Sequence, residues 1–265
     1  MRIVSLCPSL TELVFDLGLG DDLVGITEYC VHPAEGVARV ESVGGTKTPD
    51  VERIVELRPD IVLFNEEENR REDEEALSAA GLSCLTTFPR NSLETADMVR
   101  TIGKALQRED AAEAIALDIE ERTSRVLADA AGHAPVRWTY LIWRKPWMTV
   151  NADTFASAML DQAGGENVFA EHDVRYPEIT IDELRAARPE LVLLCTEPFP
   201  FADKHVDELV QATGFERERF VLADGEYLSW HGSRTPAGVD YAAGLISACR
   251  SRSRSDAQTG EGAGA

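Results

Sequence analysis

Hydrophobic positions in the first ninety residues follow two alternating patterns. Short runs rich in β-branched residues predict buried strands at residues 2–6, 23–27, 61–64 and 83–88. Apolar residues at helical spacing predict helices between them, at residues 9–17, 51–57 and 69–80. Gly18 and Gly81 follow two of these helices, as helix stops do. This β-α-β-α order indicates a mainly parallel sheet covered by helices.

The pattern changes between residues 92 and 133. This stretch is rich in Ala, Leu, Glu and Arg and shows no strand signal, and a polar cluster at residues 107–110 predicts a break. A helix over about residues 110–130 would be roughly 30 Å long at 1.5 Å per residue. We therefore predict linking helices at residues 92–133, between two α/β lobes.

The strand–helix alternation returns after residue 134. Strands are predicted at residues 137–143, 191–195 and 220–223. Helices are predicted at residues 154–163, 181–187, 204–213 and 236–250. We assign residues 1–91 and 134–250 to the two lobes. Residues 251–265 are rich in Ser, Gly and Ala without an apolar period, which predicts a disordered tail.

An internal repeat relates the two lobes. A short helix, the turn Arg58-Pro59-Asp60 and a buried strand recur 130 residues later around Arg188-Pro189-Glu190. Convergence on a common helix–turn–strand unit is the alternative explanation, but the fixed offset favours a pseudo-symmetric, two-lobed protein. The predicted fold class is thus α/β, with a ligand cleft between the lobes at the carboxyl ends of the strands.

Charge excludes several classes of partner. The chain has 47 acidic and 26 basic residues, a formal net charge of −21, which argues against binding to nucleic acid or to an anionic membrane surface. No apolar run approaches the roughly 18 residues of a spanning helix, so we expect no membrane insertion. The apolar run before Pro8 is too short for a secretory signal, which predicts a cytoplasmic location, or an extracytoplasmic one if the chain has been trimmed.

Residues that suit a metal follow the second predicted strand. No phosphate loop, dinucleotide fingerprint, zinc-protease motif or nucleophile elbow is present. Glu28, Cys30 and His32 would share one face of an extended segment, and their side chains are types that zinc or iron accepts. The alternative is a surface loop with a packed cysteine. The five cysteines form no C-x-x-C pair, so free thiols are expected.

Other candidate residues also follow predicted strands. In the first lobe they are Asn65 and Glu66, and the repeat adds Glu197 near the equivalent place in the second. Aromatic and cationic residues cluster at Trp143, Arg144 and Trp147, at Arg175 and Tyr176, and at Trp230, His231 and Arg234. A flat ligand could stack on the rings while the arginines neutralise its acid groups. Tryptophans that fill a lobe interface, and acids that stabilise a helix start, are the alternatives.

Four motifs, in order around the linking helices, carry a family resemblance. They are Pro-Ser-Leu-Thr-Glu at 8–12, Gly-Ile-Thr-Glu-Tyr at 25–29, Arg-Pro-Asp at 58–60 and Gly-Gly-Glu-Asn-Val-Phe at 164–169. Over about residues 2–250 the chain resembles the substrate-binding proteins of ABC importers for vitamin B12, haem and ferric siderophores, and most of all the vitamin B12-binding branch. The resemblance implies two α/β lobes bridged by a long rigid helix, a ligand between them and no enzymatic activity.

The resemblance also implies roles for individual residues. Tyr29, Trp143 and Tyr176 take the places of aromatic residues that line the ligand cleft, whereas Gly44 or Gly45 and Asn65 stand where tryptophans are expected. The cleft is therefore expected to be more polar and more open than a cobalamin site. A ligand with metal-binding or anionic groups would fit Cys30, His32, Glu66, Arg144 and Arg234 better.

Two acids match the positions through which this family docks its permease. They are Glu52 and Asp182, which are 130 residues apart like the repeat itself. The alternative is that each acid stabilises the first turn of a helix, and Thr180 and Glu183 predict a capping box around Asp182.

Two functional hypotheses follow. The favoured one is a monomeric, non-catalytic binding protein that requires no cofactor, whose partners are a corrinoid or metal-chelate ligand and an ABC permease. The alternative is a cytoplasmic metal-dependent enzyme or metallochaperone that uses Cys30, His32, Glu66 and His231.

Overall fold

Strands and helices alternate along the chain in the computed structural model, which describes residues 1–261 and the side chains of residues 1–252. The first elements are β1 (Ile3–Ser5), α1 (Pro8–Asp16), β2 (Leu23–Ile26), α2 (Ala34–Val37), α3 (Val51–Leu57), β3 (Ile61–Asn65), α4 (Arg71–Ala79) and β4 (Cys84–Thr87). Two helices follow, α5 (Ser92–Ala105) and α6 (Glu109–Ala130). The remaining elements are β5 (Val136–Leu141), β6 (Trp147–Met148), α7 (Phe155–Gln162), β7 (Gly165–Asn167), β8 (Glu178–Ile179), α8 (Ile181–Ala187), β9 (Leu191–Cys195), α9 (Asp203–Thr213), β10 (Phe220–Ala223), α10 (Gly225–Ser229) and α11 (Thr235–Glu261).

Two four-stranded parallel sheets share one strand order. The first sheet runs β2-β1-β3-β4, and the second runs β7-β5-β9-β10, so in each the first strand along the chain lies between the second and the third. Every residue of β1, β3 and β9 is buried, as expected for parallel strands covered on both faces. The predicted α/β class, with two mainly parallel sheets, is confirmed.

The repeat extends to backbone conformation. Helices α3 and α8 both end at an arginine in the left-handed region, Arg58 and Arg188, each with a φ of 48°. The acid of each Arg-Pro-acid turn then accepts a hydrogen bond from the backbone N–H at the start of the unit's first strand. Asp60 Oδ2 lies 2.7 Å from Arg2 N, and Glu190 Oε2 lies 2.9 Å from Arg137 N. The motif therefore fixes the central strand pair of each sheet.

Strand β7 was not predicted from the sequence. Its residues, Gly165–Asn167, are polar or lack a side chain, so they carry no hydrophobic strand pattern. Backbone pairing of Gly165 with Val136 places them in the sheet. A Cβ at Gly165 would come within 2.4 Å of the Trp138 indole, so this ring covers a position that tolerates only glycine.

The chain divides into two compact units that differ from the predicted lobes. The first comprises Met1–Pro89, Leu93–Glu120 and Trp230–Thr235, and the second comprises Arg90–Ser92, Glu121–Ser229 and the residues from Pro236 onward. The predicted linking helices are not a separate part, because α5 and the first half of α6 bury apolar residues in the core of the first unit. The assignment of residues 134–250 to one lobe omitted the return of Trp230–Thr235 to the first unit.

Helix α11 extends beyond its predicted end. Residues 251–261, which the composition assigned to a disordered tail, continue this helix to Glu261. Extending a helix requires no new nucleation. A helix that tertiary packing already stabilises can therefore continue into Ser-rich residues. Residues 262–265 of the predicted tail lie outside the described residues. Through Glu261, no helix combines the length and apolar character needed to cross a membrane.

Candidate ligand-binding faces

The first unit presents candidate residues at the carboxyl ends of β1, β2 and β3, which meet at one edge of the sheet. The segment Trp230–Thr235 is held against this edge by side-chain contacts described below. We define the first face as Tyr29, His32, Glu66, Trp230 and Arg234.

A buried hydrogen-bond network holds His231 at this edge. Asn65 is 1% exposed and His231 is 7% exposed. Asn65 Oδ1 accepts the backbone N–H groups of Glu67 and Glu68, so its Nδ2 faces Thr87 O at 3.1 Å and His231 Nε2 at 3.0 Å. Since Asn65 donates, His231 Nε2 accepts and carries no proton. Asn65 was predicted to bind ligand, but its amide is buried and occupied.

Arg234 is paired with an acid of helix α1. Its guanidinium donates to both carboxylate oxygens of Glu12, at 2.9 and 2.6 Å, and lies 5.1 Å from the centre of the Trp230 ring. The prediction that Arg234 neutralises a ligand acid is therefore not supported, because this cation already has a carboxylate. Glu12 of the Pro-Ser-Leu-Thr-Glu motif therefore connects the segment Trp230–Thr235 to α1 through this ion pair.

Cys30 is buried rather than available to a metal. Its Sγ lies 3.1 Å from Thr11 Oγ1 and 3.2 Å from Thr27 Oγ1. Burial raises the pKa of the thiol, which disfavours the thiolate that a metal requires. Within residues 1–252, no three His, Cys, Asp or Glu side chains converge as a metal site, so the structure gives no support to the Cys30–His32 metal site, which stays a prediction. The cysteine contributes instead to the apolar core of the first unit.

Tyr29 is the most exposed aromatic residue of the first face. Its side chain is 57% exposed, and its Cε2 would lie 3.3 Å from a Cβ placed at Gly45. Glycine at position 45 thus lets the ring rest close to the backbone with one side open. His32 meets the Trp230 ring edge-on, with 5.5 Å between ring centres, and so belongs to the aromatic surface.

Glu66 is exposed and lines a cavity of about 440 Å³. The cavity lies beside helix α4 and is also lined by Phe64, Asn65 and Thr86. Its remaining lining is polar or charged, and Arg70 and Arg71 are paired there with Asp73 and Glu75 of α4.

The second unit presents its aromatic residues on a reverse turn after β5. Trp143 and Met148 form a backbone bridge across this turn, and Lys145 adopts a positive φ of 67°. Trp143 is 41% exposed and meets Phe199 edge-on at 5.5 Å, whereas Trp147 stacks parallel to Phe201. Strand β8 pairs with β6, which brings residues 175–179 alongside. We define the second face as Trp143, Arg144, Trp147, Arg175 and Tyr176.

Both arginines of the second face are also engaged. Arg144 donates to both carboxylate oxygens of Glu208, at 2.8 and 2.7 Å. These hydrogen bonds lower the pKa of Glu208 and raise that of Arg144, so the pair stays charged. Arg175 donates to the backbone carbonyl of Asp153 at 2.6 Å, with the Asp153 carboxylate 3.5 Å away.

Glu197 is half-buried after β9 and packs against Gly225, where an added Cβ would come within 2.6 Å of its Cγ. Phe199, Phe201 and Glu208 were missed by the sequence analysis. Phe199-Pro200-Phe201 directly follows the candidate Glu197, and two aromatics one residue apart after a strand were the available signal.

Residues 3–221 match the family model for periplasmic binding proteins. The chain belongs to this family. It is 26% identical to a vitamin B12-binding protein of Vibrio cholerae over 211 residues, covering 80% of this chain and 75% of the relative. A vitamin B12-binding protein of Yersinia pestis is 26% identical over 193 residues, covering 73% and 69% of the two chains. The predicted relationship to binding proteins of this kind is confirmed.

Solved structures of the family share the fold. The periplasmic vitamin B12-binding protein of Vibrio cholerae has a TM-score of 0.81 at 22% identity, covering 94% of this chain and 97% of its own. A periplasmic haem-binding protein from Roseiflexus has a TM-score of 0.81 at 23% identity, covering 94% and 98%. A periplasmic haem-binding protein from Pseudomonas aeruginosa has a TM-score of 0.78 at 25% identity, covering 92% of each chain.

The two acids matched to permease docking occupy equivalent positions. Glu52 and Asp182 are the second residues of α3 and α8, and both are exposed, with 91% of the Asp182 side chain accessible. The predicted capping box is present beside Asp182, formed by Thr180 and Glu183. Because Thr180 caps the helix through Glu183, Asp182 is left out of the cap, and its exposed carboxylate lies 3.5 Å from Arg185 Nη1 on the next turn.

Proposed function

We propose that this protein is a non-catalytic receptor that binds a corrinoid or another flat metal chelate and presents it to an ABC permease. The observation that carries the proposal is the match to vitamin B12-binding proteins over 80% of the chain. The exposed aromatic side chains at the carboxyl ends of both sheets agree with it, because single large rings held open to solvent suit a flat ligand.

Tyr29 and Trp143 are the proposed principal contacts. Each ring has a neighbour on one side, Tyr29 the Gly45 backbone and Trp143 the Phe199 ring, and each leaves a broad apolar surface open. A ring that packs against a neighbour on one side has less conformational entropy to lose when a ligand stacks on its open side. Tyr176, half-buried beneath Arg175, is a proposed secondary contact.

Glu52 and Asp182 are the proposed points of contact with arginines of the permease. Their equivalent helix positions and exposure support this role, as does the freedom of Asp182 from the adjacent cap. The predicted cytoplasmic location has no support in the comparisons. The family is described as periplasmic, and a receptor that feeds an importer would work outside the cytoplasm.

The enzyme or metallochaperone hypothesis has lost its structural basis. Cys30 is buried among threonine hydroxyls, and His231 is buried against Asn65, so neither offers a ligand to a shared metal. Cofactor independence and a monomeric state remain predictions, to be checked by elemental analysis and light scattering.

Thermal unfolding with a ligand panel tests the proposal. Cyanocobalamin, cobinamide, haem and ferric chelates are added at 100 times a micromolar dissociation constant, where binding to the native state stabilises it by about 2.7 kcal/mol and raises the melting temperature by several degrees. Trp143→Ala should weaken binding tenfold or more. Leu117→Ala, which removes an exposed apolar side chain of α6, is the matched control. A panel without any shift contradicts the proposed function.

A further inference from the structure

The arginines at both faces are already neutralised by acids of their own unit. Arg234 is bidentate to Glu12, and Arg144 is bidentate to Glu208. Arg175 is anchored at Asp153, through the backbone carbonyl and near the carboxylate. A bidentate guanidinium–carboxylate pair leaves little unbalanced charge for a ligand, because the Nε and one Nη of each arginine already donate to a carboxylate of the protein.

The lysines at these faces also lie near acids. Lys47 donates to the backbone carbonyl of Glu67 at 2.5 Å, and its charge acts on Glu68. The charge of Lys145 acts on Glu208, which already holds Arg144. Lys47 is therefore matched by a nearby carboxylate, whereas Lys145 shares the carboxylate of Glu208 with Arg144, so a negative field is inferred for the first face alone.

Acids without a cationic partner remain at the first face. Glu28 and Glu66 follow β2 and β3, are exposed, and form no ion pair within the described part of the chain. The whole protein carries −21 charges, so the field at this face is negative at long range as well. An anion that approaches it meets repulsion without a compensating free cation.

We infer that this receptor selects ligands without net negative charge, namely neutral or cationic metal complexes that stack on exposed rings. The inference rests on the proposed function and narrows its ligand class. It also corrects the expectation of an anionic ligand, which assumed that Arg144 and Arg234 were available. Stacking and apolar contact, rather than charge neutralisation, then supply the affinity.

Two ferric chelates that differ in net charge provide a matched test. A neutral ferric tris-hydroxamate and an anionic ferric tris-catecholate share the metal and its octahedral oxygen set but differ in charge. Cyanocobalamin, which is neutral, cobinamide, which is cationic, and haem, whose propionates make it anionic, complete the set. Dissociation constants are measured by tryptophan fluorescence quenching at low and at high NaCl.

The expected result is binding of at least one neutral or cationic complex, with the anionic complexes at least tenfold weaker. Any residual binding of an anionic complex should strengthen with added NaCl, because salt screens the repulsion. Tight binding of an anionic complex that weakens with salt would overturn the charge inference while leaving the proposed function intact. If no complex binds, the proposed function fails and the inference fails with it.

A single substitution tests whether the pairing of Arg144 with Glu208 causes the preference against anionic complexes. Glu208→Gln leaves Arg144 without its carboxylate, so the affinity for the anionic complexes should rise by roughly threefold to tenfold. Glu113→Gln, which removes a carboxylate from Arg100 on the linking helices, is the control and should leave the preference unchanged. An unchanged preference in folded Glu208→Gln protein would refute the role of this pair. The salt dependence of the unsubstituted protein remains informative if the variant does not fold.

Discussion

The Glu12–Arg234 pair is predicted to hold the returning segment Trp230–Thr235 in the first unit. Its two hydrogen bonds measure 2.9 and 2.6 Å, and the side chains are 17% and 16% exposed. Exposed pairs contribute about 0.2–1 kcal/mol, and breaking a fully buried pair costs about 3–5 kcal/mol. This partly buried, bidentate pair falls between these limits, so Glu12→Gln should lower the free energy of unfolding by about 2 kcal/mol.

A double-mutant cycle isolates the pair from other effects of each substitution. Glu12→Gln and Arg234→Met should couple by about 1–2 kcal/mol in urea unfolding followed by circular dichroism. The exposed pair Arg71–Glu75 on α4 is the control, with an expected coupling of about 0.3 kcal/mol. Hydrogen exchange of the peptide that covers residues 228–236 should accelerate in each single variant. A coupling no larger than the control, with exchange unchanged, would refute the anchoring role.

Three further predictions concern the second unit, a buried thiol and the docking acids. Burial raises the pKa of Asp161 to about 6 in the folded state from 3.8, so stability present below pH 3.8 is lost as the pH rises through 6. In the unsubstituted protein the free energy of unfolding, measured in urea, should fall by about 1 kcal/mol between pH 4 and pH 7, and Asp161→Asn should abolish this fall. The value is kept small because solvent screens the charge of a partly exposed side chain. Cys30 should react with a thiol reagent at pH 8 at least 100-fold more slowly in native than in urea-unfolded protein, followed by mass spectrometry, and equal rates would contradict its burial. Glu52→Gln combined with Asp182→Asn should lower uptake of labelled ligand by cells at least tenfold without changing the dissociation constant, and unaltered uptake would remove both acids from docking.

The fold was largely predictable because its elements carry local patterns. The sequence shows the buried runs at β3 and β9 and the Arg-Pro-acid turns before them. In both turns the acid accepts a hydrogen bond from a backbone N–H of the neighbouring strand. Strand β7 was not predictable in this way, because backbone pairing rather than side-chain burial defines it. The return of Trp230–Thr235 to the first unit likewise depends on contacts with residues more than 160 positions away.

The sequence indicated which side chains lie at the candidate faces, but it did not indicate which of them are already paired with other residues. Arg144 and Arg234 lie at the predicted faces, but their partners are 64 and 222 positions distant along the chain. No local pattern announces such a partner, so both arginines looked available. Cys30 shows the same limit of local patterns. Its spacing from Glu28 and His32 suggested that the three side chains share one face, but in the structure Cys30 is enclosed by Thr11 and Thr27.

The glycines that replace an expected tryptophan have a local explanation. Gly44 has a φ of +98°, and a Cβ there would come within 2.6 Å of Thr48 O, so the turn that bridges Gly44 to Pro49 excludes any side chain at this position. Gly45 then lets the Tyr29 ring approach the backbone. The missing tryptophan therefore does not make the first face merely more polar. A turn that lies beside Tyr29 takes the place of the expected tryptophan, and a ligand that stacks there meets the exposed Tyr29 ring. With the neighbouring arginine already paired, that ring is the feature of the first face best suited to recognise a flat, uncharged complex.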